Sequence, residues 1–476
     1  MKYKWVVLTV TTVAGFMASL DSTIVVIGLP TILQDLHATL VHGIWIITGY
    51  QLAMTILLIV VGRLADLYGR VRLYNIGFAV FTVGSLCCAL SGTGEQLVLF
   101  RLLQGTGAAF LTANSVAIIT DAFPQGELGM ALGTNMMAFN VGAIAGYTLG
   151  GVMITLFGWR SIFLVNVPVG IFGILWSYKR LKEISKRPVG ENFDYVGSIL
   201  YSAGLLAILG ALTLSNPTSP RNLLILAGGF VLFLVFIFVE RRQRYPTLDL
   251  NLFKIRLFAA GNLAGFLNSV AFNCGPFLRS LYLQLVMGYS ALRAGVILIP
   301  MEVVVLVVSP ISGRLADKYG GRVLSSIGLA LNASALFWFS TLNERSTYAA
   351  ILISLVLFGL GRALFISPNS SSVMGSVPAE RRGVANGVRM TLNMTGGVIS
   401  VPLSLLLMTL VMPYDRLSQI VSSSQLVGSA ELSTFLHAIN HACLILGVII
   451  LIAIIPSLLR GPRETSNNMP EKIPKD

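Results

Sequence analysis

Charge is scarce in this chain. Only 11% of its 476 residues are Asp, Glu, Lys or Arg, whereas 55% are hydrophobic, and the mean hydropathy is +0.80. That balance excludes a soluble domain of this size. The four cysteines, Cys87, Cys88, Cys274 and Cys443, fall inside apolar runs without zinc or redox spacing, so they read as small core residues rather than a disulfide framework. His437 and His441 are four apart, a spacing that suits a metal, but no third ligand lies near them in the sequence and no metal site is expected. No loop has the length of a catalytic or sensory domain, and no Ser, His or Cys constellation marks nucleophilic chemistry. An enzyme, an organic cofactor and a sensory receptor are therefore disfavoured. Lys and Arg outnumber Asp and Glu by 33 to 20, yet they are spread through short loops rather than gathered with aromatics. This argues for membrane topology and anionic headgroups, and against nucleic acid.

What the chain does have is one apolar run after another. Stretches of about 18 residues or more are long enough to span a bilayer. They fall at 5–33, 41–62, 73–92, 95–120, 129–155, 160–177, 195–214, 222–240, 256–286, 292–312, 322–341, 347–369, 382–409 and 435–457. The start, with Lys2 and Lys4 before an apolar stretch, has the look of a leader. The run continues to about Pro30, however, and reads as the first transmembrane helix. Alternate assignment of the loops leaves only Arg160, Arg221, Arg293, Arg345 and Arg416 on one side and 24 Lys and Arg on the other. By the positive-inside rule both termini should be cytoplasmic. The tail after Arg460, rich in Pro, Asn, Glu and Lys, is expected to be disordered.

The segment GRLADLYGRVR, from Gly62 to Arg72, returns at Gly313 to Arg322 as GRLADKYGGR, an offset of 251 residues. A charged, glycine-flanked knot repeated half a chain away, each time after an apolar run, indicates a doubled membrane unit. The pattern resembles motif A of the major facilitator superfamily, matched by Gly62, Leu64, Ala65, Asp66, Gly69 and Arg70. The resemblance implies a cytoplasmic gate latch. Asp66 would meet the start of a helix in the other half, near Arg382, and Arg70 would pair with carboxylates. Asp317 and Arg322 occupy the second copy. A carboxylate gains about 0.3–1 kcal/mol at a helix N-terminus.

Further segments resemble the fourteen-helix drug:proton antiporter branch of that superfamily. LDSTIVVIGLPTI, from Leu20, is similar to its first-helix signature, and RLLQGTGAAF, from Arg101, to its motif B. The latter implies that Arg101 and Gln104 line the central cavity and serve proton transfer. VGAIAGYTLGG is similar to motif C, with Gly142, Gly146, Gly150 and Gly151 matching and Tyr147 standing where the family has Pro. The glycines form a stripe that lets two helices approach closely. WRSIFLVNVPVG from Trp159, FDYVG from Phe193, LYLQLVMGYSALRAG from Leu281 and FISPNSSSVMGSVPAERRGVANG from Phe365 extend the resemblance over about residues 5–457.

Asp21, Arg101, Arg279, Glu302, Arg362 and Arg389 fall inside the hydrocarbon, where an ionisable residue is a functional-site hypothesis by default. Asp21 lies ~24 Å into a helix from one side and Arg101 ~9 Å into a helix from the other, so the two can meet. An arginine does not release its proton at working pH, so its role would be to hold Asp21 in a protonation-sensitive pair. The alternative is an ion pair that only fixes helix packing. Glu302 sits near the midplane, as a second protonation or cation site or as a satisfied core carboxyl, and Arg279 either partners it or snorkels. Arg362 and Arg389 are expected to snorkel toward the cytoplasm.

The sequence therefore points to an all-α polytopic membrane protein of the major facilitator fold, with 14 transmembrane helices. An N-terminal six-helix half (1–178), a cytoplasmic loop (179–194), an inserted helix pair (195–240), a C-terminal half (241–457) and a tail (458–476) follow in order. The implied activity is alternating-access export of small drug-like or lipophilic organic compounds, in exchange for protons, by a monomer in the cell membrane. The alternative is a uniporter or symporter of an organic anion or metabolite, suggested by the arginine surplus and Tyr147.

Overall fold

The computed structural model describes residues 3–184, 194–213, 220–243, 248, 250–378, 381–423 and 429–461, less a few side chains that include those of Asp66 and Asp317. The tail expected to be disordered lies, from residue 462 on, outside the described residues. Within them the chain is helical and holds 14 helices long and apolar enough to cross a membrane. In chain order these are α1 (Tyr3–Asp35), α2 (Leu40–Tyr68), α3 (Arg70–Leu90), α4 (Gly94–Ala122), α5 (Gln125–Phe157) and α6 (Ser161–Arg180). Next come α7 (Tyr195–Thr213), α8 (Pro220–Glu240), α9 (Arg256–Val286) and α10 (Ala291–Tyr319). The last four are α11 (Gly321–Phe339), α12 (Tyr348–Gly375), α13 (Arg382–Thr409) and α14 (Ser429–Leu458). A short amphipathic helix, Tyr414–Ser423, joins the last two.

In lipid every backbone polar group must be satisfied within its own segment, so apolar runs of this length settle as helices. Their ends carry the expected signals. Thr93, Ser290 and Thr347 accept hydrogen bonds from the backbone N–H groups of Gln96, Arg293 and Ala350. Gly69 ends α2 with φ of 107° and Gly320 ends α10 with φ of 83°, a region that favours glycine. The repeated glycine of the two copies of GRLAD is thus a backbone requirement.

The helices pack in two matching sets. In the first, α1 packs on α5, α4 on α2 and α3, and α6 on α3. In the second, α9 packs on α13, α12 on α10 and α11, and α14 on α11. Between the sets the most extensive contacts are α5 with α10 and α2 with α13, which are themselves equivalent, and α1 also touches α9 and α10. Helices α7 and α8 pair with each other and lean on α2 and α13, where the Tyr201 hydroxyl lies 2.6 Å from that of Thr395.

The two ends of the molecule differ. At the end away from the termini, one apolar core joins Ile32, Leu40 and Phe163 of the first set to Phe277, Leu298, Phe339 and Leu417. Ser280 and Gln284 of α9 donate there to the carbonyls of Val26 and Ile27 of α1. At the terminal end, α1–α6 have a core of their own, built on Val7, Tyr74, Phe78, Ile119 and Phe123. A Cβ added at Gly62, Gly133 or Gly387 near that end would meet nothing within 4 Å. One added at Gly295 would stand 2.1 Å from the carbonyl oxygen of Tyr147, and one at Gly151 2.5 Å from Cα of Leu292. Helices α5 and α10 are therefore pressed together at the far end.

Candidate functional site

Asp21 is fully buried in the middle of α1, and four helices supply the groups around it. Arg101 Nη1 on α4 donates to Asp21 Oδ2 at 2.6 Å, while Gln104 Nε2, one turn further on, donates to Oδ1 at 2.8 Å. Asn166 Nδ2 on α6 donates to the same Oδ1 at 2.8 Å. Arg101 also donates to the carbonyl of Ile46 at 3.0 Å and to Gln104 Oε1 at 2.6 Å, and its guanidinium lies 4.3 Å from the ring centre of Tyr50 on α2. Ser85 on α3 receives Gln104 and Asn166 and donates to the carbonyl of Phe163. The carboxylate thus has a donor on each oxygen, the condition under which a buried charge is tolerable. Asn166, Ser85 and Tyr50 were not singled out from the sequence. A lone amide in the apolar run of α6 was the available signal for Asn166.

Close approach of α1 and α5 fixes this cluster in place. The added Cβ at Gly142 would lie 2.5 Å from the carbonyl oxygen of Phe16, at Gly146 1.9 Å from Thr23 Oγ1, and at Gly150 2.7 Å from Ile24 Cγ1. Those three glycines face α1, and Gly151, one residue on, faces α10 instead.

The second cluster departs from expectation. Glu302 on α10 is paired with Arg362 of α12, whose Nη1 lies 2.9 and 3.1 Å from the two carboxylate oxygens. Arg279, expected to partner it or to snorkel, is not bonded to it, and Arg362 does not snorkel. Helix α9 is interrupted by a turn at Asn273–Cys274, and beyond it Arg279 Nη2 donates to Ser354 Oγ of α12 at 3.3 Å. Arg389 does not snorkel either; it donates to Ser370 Oγ at 3.0 Å and to Asn386 Oδ1 at 2.9 Å. A protein-internal acceptor is cheaper than stretching to the interface when one stands within a turn.

At the terminal end, Arg70 donates to both carboxylate oxygens of Asp121, at 2.8 and 2.9 Å. Glu183, just past α6, accepts from the backbone N–H groups of Arg70 and Val71 at 3.0 Å each, so it caps α3. Lys4 is paired with Glu127, and the backbone N–H of Lys182 donates to the Tyr3 hydroxyl at 3.0 Å. Gly62 is helical, and Arg322 is exposed. The docking expected of Asp66 near Arg382, and the role of Asp317, depend on side chains outside the described residues.

The arrangement has known counterparts. The chain is 31% identical over 392 residues, 82% of its length and 85% of the relative's, to the riboflavin transporter RibZ of Clostridioides difficile. It is 32% identical over 397 residues, 83% of its length and 74% of the relative's, to the tetracenomycin C resistance and export protein of Streptomyces glaucescens. Its fold matches the crystal structure of a bacterial homolog to the human lysosomal transporter Spinster, inward-facing and unoccupied. The TM-score is 0.68 at 17% identity, covering 96% and 97% of the two chains. The family model of the Major Facilitator Superfamily matches residues 11–401, and with 14 spanning helices the chain belongs to that family, a multi-pass membrane transporter and not an enzyme.

Proposed function

We propose that this transporter exports small organic compounds by alternating access and takes up protons in exchange. The observation that carries the reading is Asp21: a fully buried carboxylate within a spanning helix, held by donors from α4 and α6 that a proton or a substrate could each displace. Protonation removes the charge that holds Arg101, and departure of Arg101 leaves the carboxylate ready for a proton. One site can then exchange the two species by competition. The name of the tetracenomycin relative supports the export direction.

The loop charges support cytoplasmic termini in the plasma membrane. With that orientation the shared apolar core seals the outer side, and the terminal end, where α1–α6 have a separate core, faces the cytoplasm. The two packing sets support halves at 1–178 and 241–457 with the pair 195–240 between them. We read the chain as a monomer. A second reading, uniport or symport of an organic anion, draws on Arg279, which has no carboxylate partner among the described residues.

The test is the purified full-length protein in liposomes with a pH-sensitive dye inside and candidate organic compounds added one at a time. Substrate-dependent proton movement is the expected result. Substrate accumulation with no proton movement would reject the exchange.

A further inference from the structure

Three arginines at mid-chain depth have different fates. Arg101 is matched by Asp21, and Arg362 by Glu302. Arg279 is as buried as Arg101, at 2% exposure, yet among the described residues its Nε and Nη1 have no hydrogen-bond acceptor and its one bond is to the Ser354 hydroxyl. The thiols of Cys274 and Cys443 and the phenol of Tyr147 stand around it, and among the described residues no carboxylate is paired with it. Its guanidinium lies against aromatic faces, 4.0 Å from the ring centre of Phe358 and 4.9 Å from that of Phe339, and Phe358 is itself stacked on Phe272 at 3.8 Å.

We propose that Arg279 is the binding site for the charged group of a flat organic monoanion carried by this transporter. A buried, unneutralised guanidinium draws an acceptor into its site, and its planar fork suits a carboxylate held by two parallel bonds. One fixed positive charge calls for one negative charge, since a dianion would bring a second with nothing to offset it. Phe358, between Phe272 and the guanidinium, sets that charge in an apolar surround that favours an anion with an apolar body. The site also lies on the moving seam. Ser280 and Gln284, beside Arg279 on α9, bond to the α1 carbonyls of Val26 and Ile27, and a π-helical turn follows at Tyr282–Val286. Such turns are common at functional sites. Tyr147 of α5 stands across that seam, within electrostatic reach of Arg279, Glu302 and Arg362.

The inference rests on the chain being a transporter, not on proton exchange at Asp21. Its test is equilibrium dialysis of radiolabelled benzoate against the full-length protein in detergent, in sulfate buffer, with empty micelles as the blank. No membrane or pH gradient is present, so failure of proton coupling cannot alter the result. Saturable binding is expected, weakened by about tenfold or more in Arg279→Gln. Arg279→Lys, which keeps the charge but loses the fork, should bind more weakly than wild type and serves if the Gln variant does not fold. Phe358→Leu should weaken benzoate more than acetate. Three results would overturn the proposal: wild-type binding that does not saturate, undiminished affinity in both Arg279 variants, or chloride displacing benzoate at lower concentration than benzoate displaces itself.

Discussion

The Cβ that Gly295 lacks would stand 2.1 Å from the carbonyl oxygen of Tyr147, so at this point α5 and α10 approach as closely as they do because the residue is glycine. Backbone cannot yield as a flexible side chain can. Gly295→Ala should therefore disfavour the state seen here by about 1–3 kcal/mol, a shift of about 5- to 150-fold in population. Spin labels at Leu90 and Arg345, on far-end segments of the two sets, would read it as a longer distance. Gly133→Ala, with open space around it, is the control and should leave the distances unchanged. Equal distances in Gly295→Ala and wild type would reject the seal.

Asp21 and Arg101 form a pair in which each partner needs the other. Arg101→Ala leaves a buried carboxylate with only amide donors and should cost about 3–5 kcal/mol of stability. Asp21→Asn is close to isosteric with the protonated acid, so it should fold while abolishing transport driven by a pH gradient, and spare energy-independent exchange. Thermal unfolding in detergent and counterflow in liposomes separate the two effects. A variant that still concentrates substrate against its gradient would move the coupling elsewhere, with Glu302 the next candidate.

Glu183 reaches back from the end of α6 to cap α3 beside Gly69, where a Cβ would come within 2.7 Å of its Oε2. Removing a cap costs about 0.5–2 kcal/mol. In Glu183→Ala, amide exchange of residues 69–73 should accelerate by about the corresponding factor, while exchange in α9 should not change. Identical protection of 69–73 would show that the cap adds nothing. The latch proposed for Asp66 is tested on the same surface. Asp66→Asn should change disulfide crosslinking between cysteines placed on α2 and α13, and unchanged crosslinking would remove Asp66 from the gate.

The spans, their number and the doubled GRLAD segment were legible because each rests on local chemistry. Twenty apolar residues must cover their own backbone bonds, and a helix-ending glycine at positive φ leaves its mark at Gly69 and Gly320. The Asp21 to Arg101 contact was legible from depth alone, since α1 and α4 run in opposite directions and the two depths add up to one membrane thickness. Asn166 was not, because an amide carries no charge to flag it. The partner of Glu302 was misjudged for a different reason. Depth arithmetic ranks residues by level and not by direction around a helix, and Arg362, assigned to the cytoplasmic end of its helix, has Glu302 within reach of its long side chain.

The pair that resulted, Glu302 with Arg362, is unequal in a way that makes its own prediction. Glu302 has 2% of its side chain exposed and Arg362 29%. Loss of the arginine leaves a buried carboxylate with no counter-ion, and loss of the acid leaves a guanidinium that can turn toward water. Arg362→Ala should therefore lower the unfolding temperature in detergent more than Glu302→Ala does. In the double variant both charges are gone, so it should be more stable than Arg362→Ala alone. If the two single variants melt together, then water reaches Glu302 freely, and the carboxylate is part of a solvated cavity rather than of the packed interior.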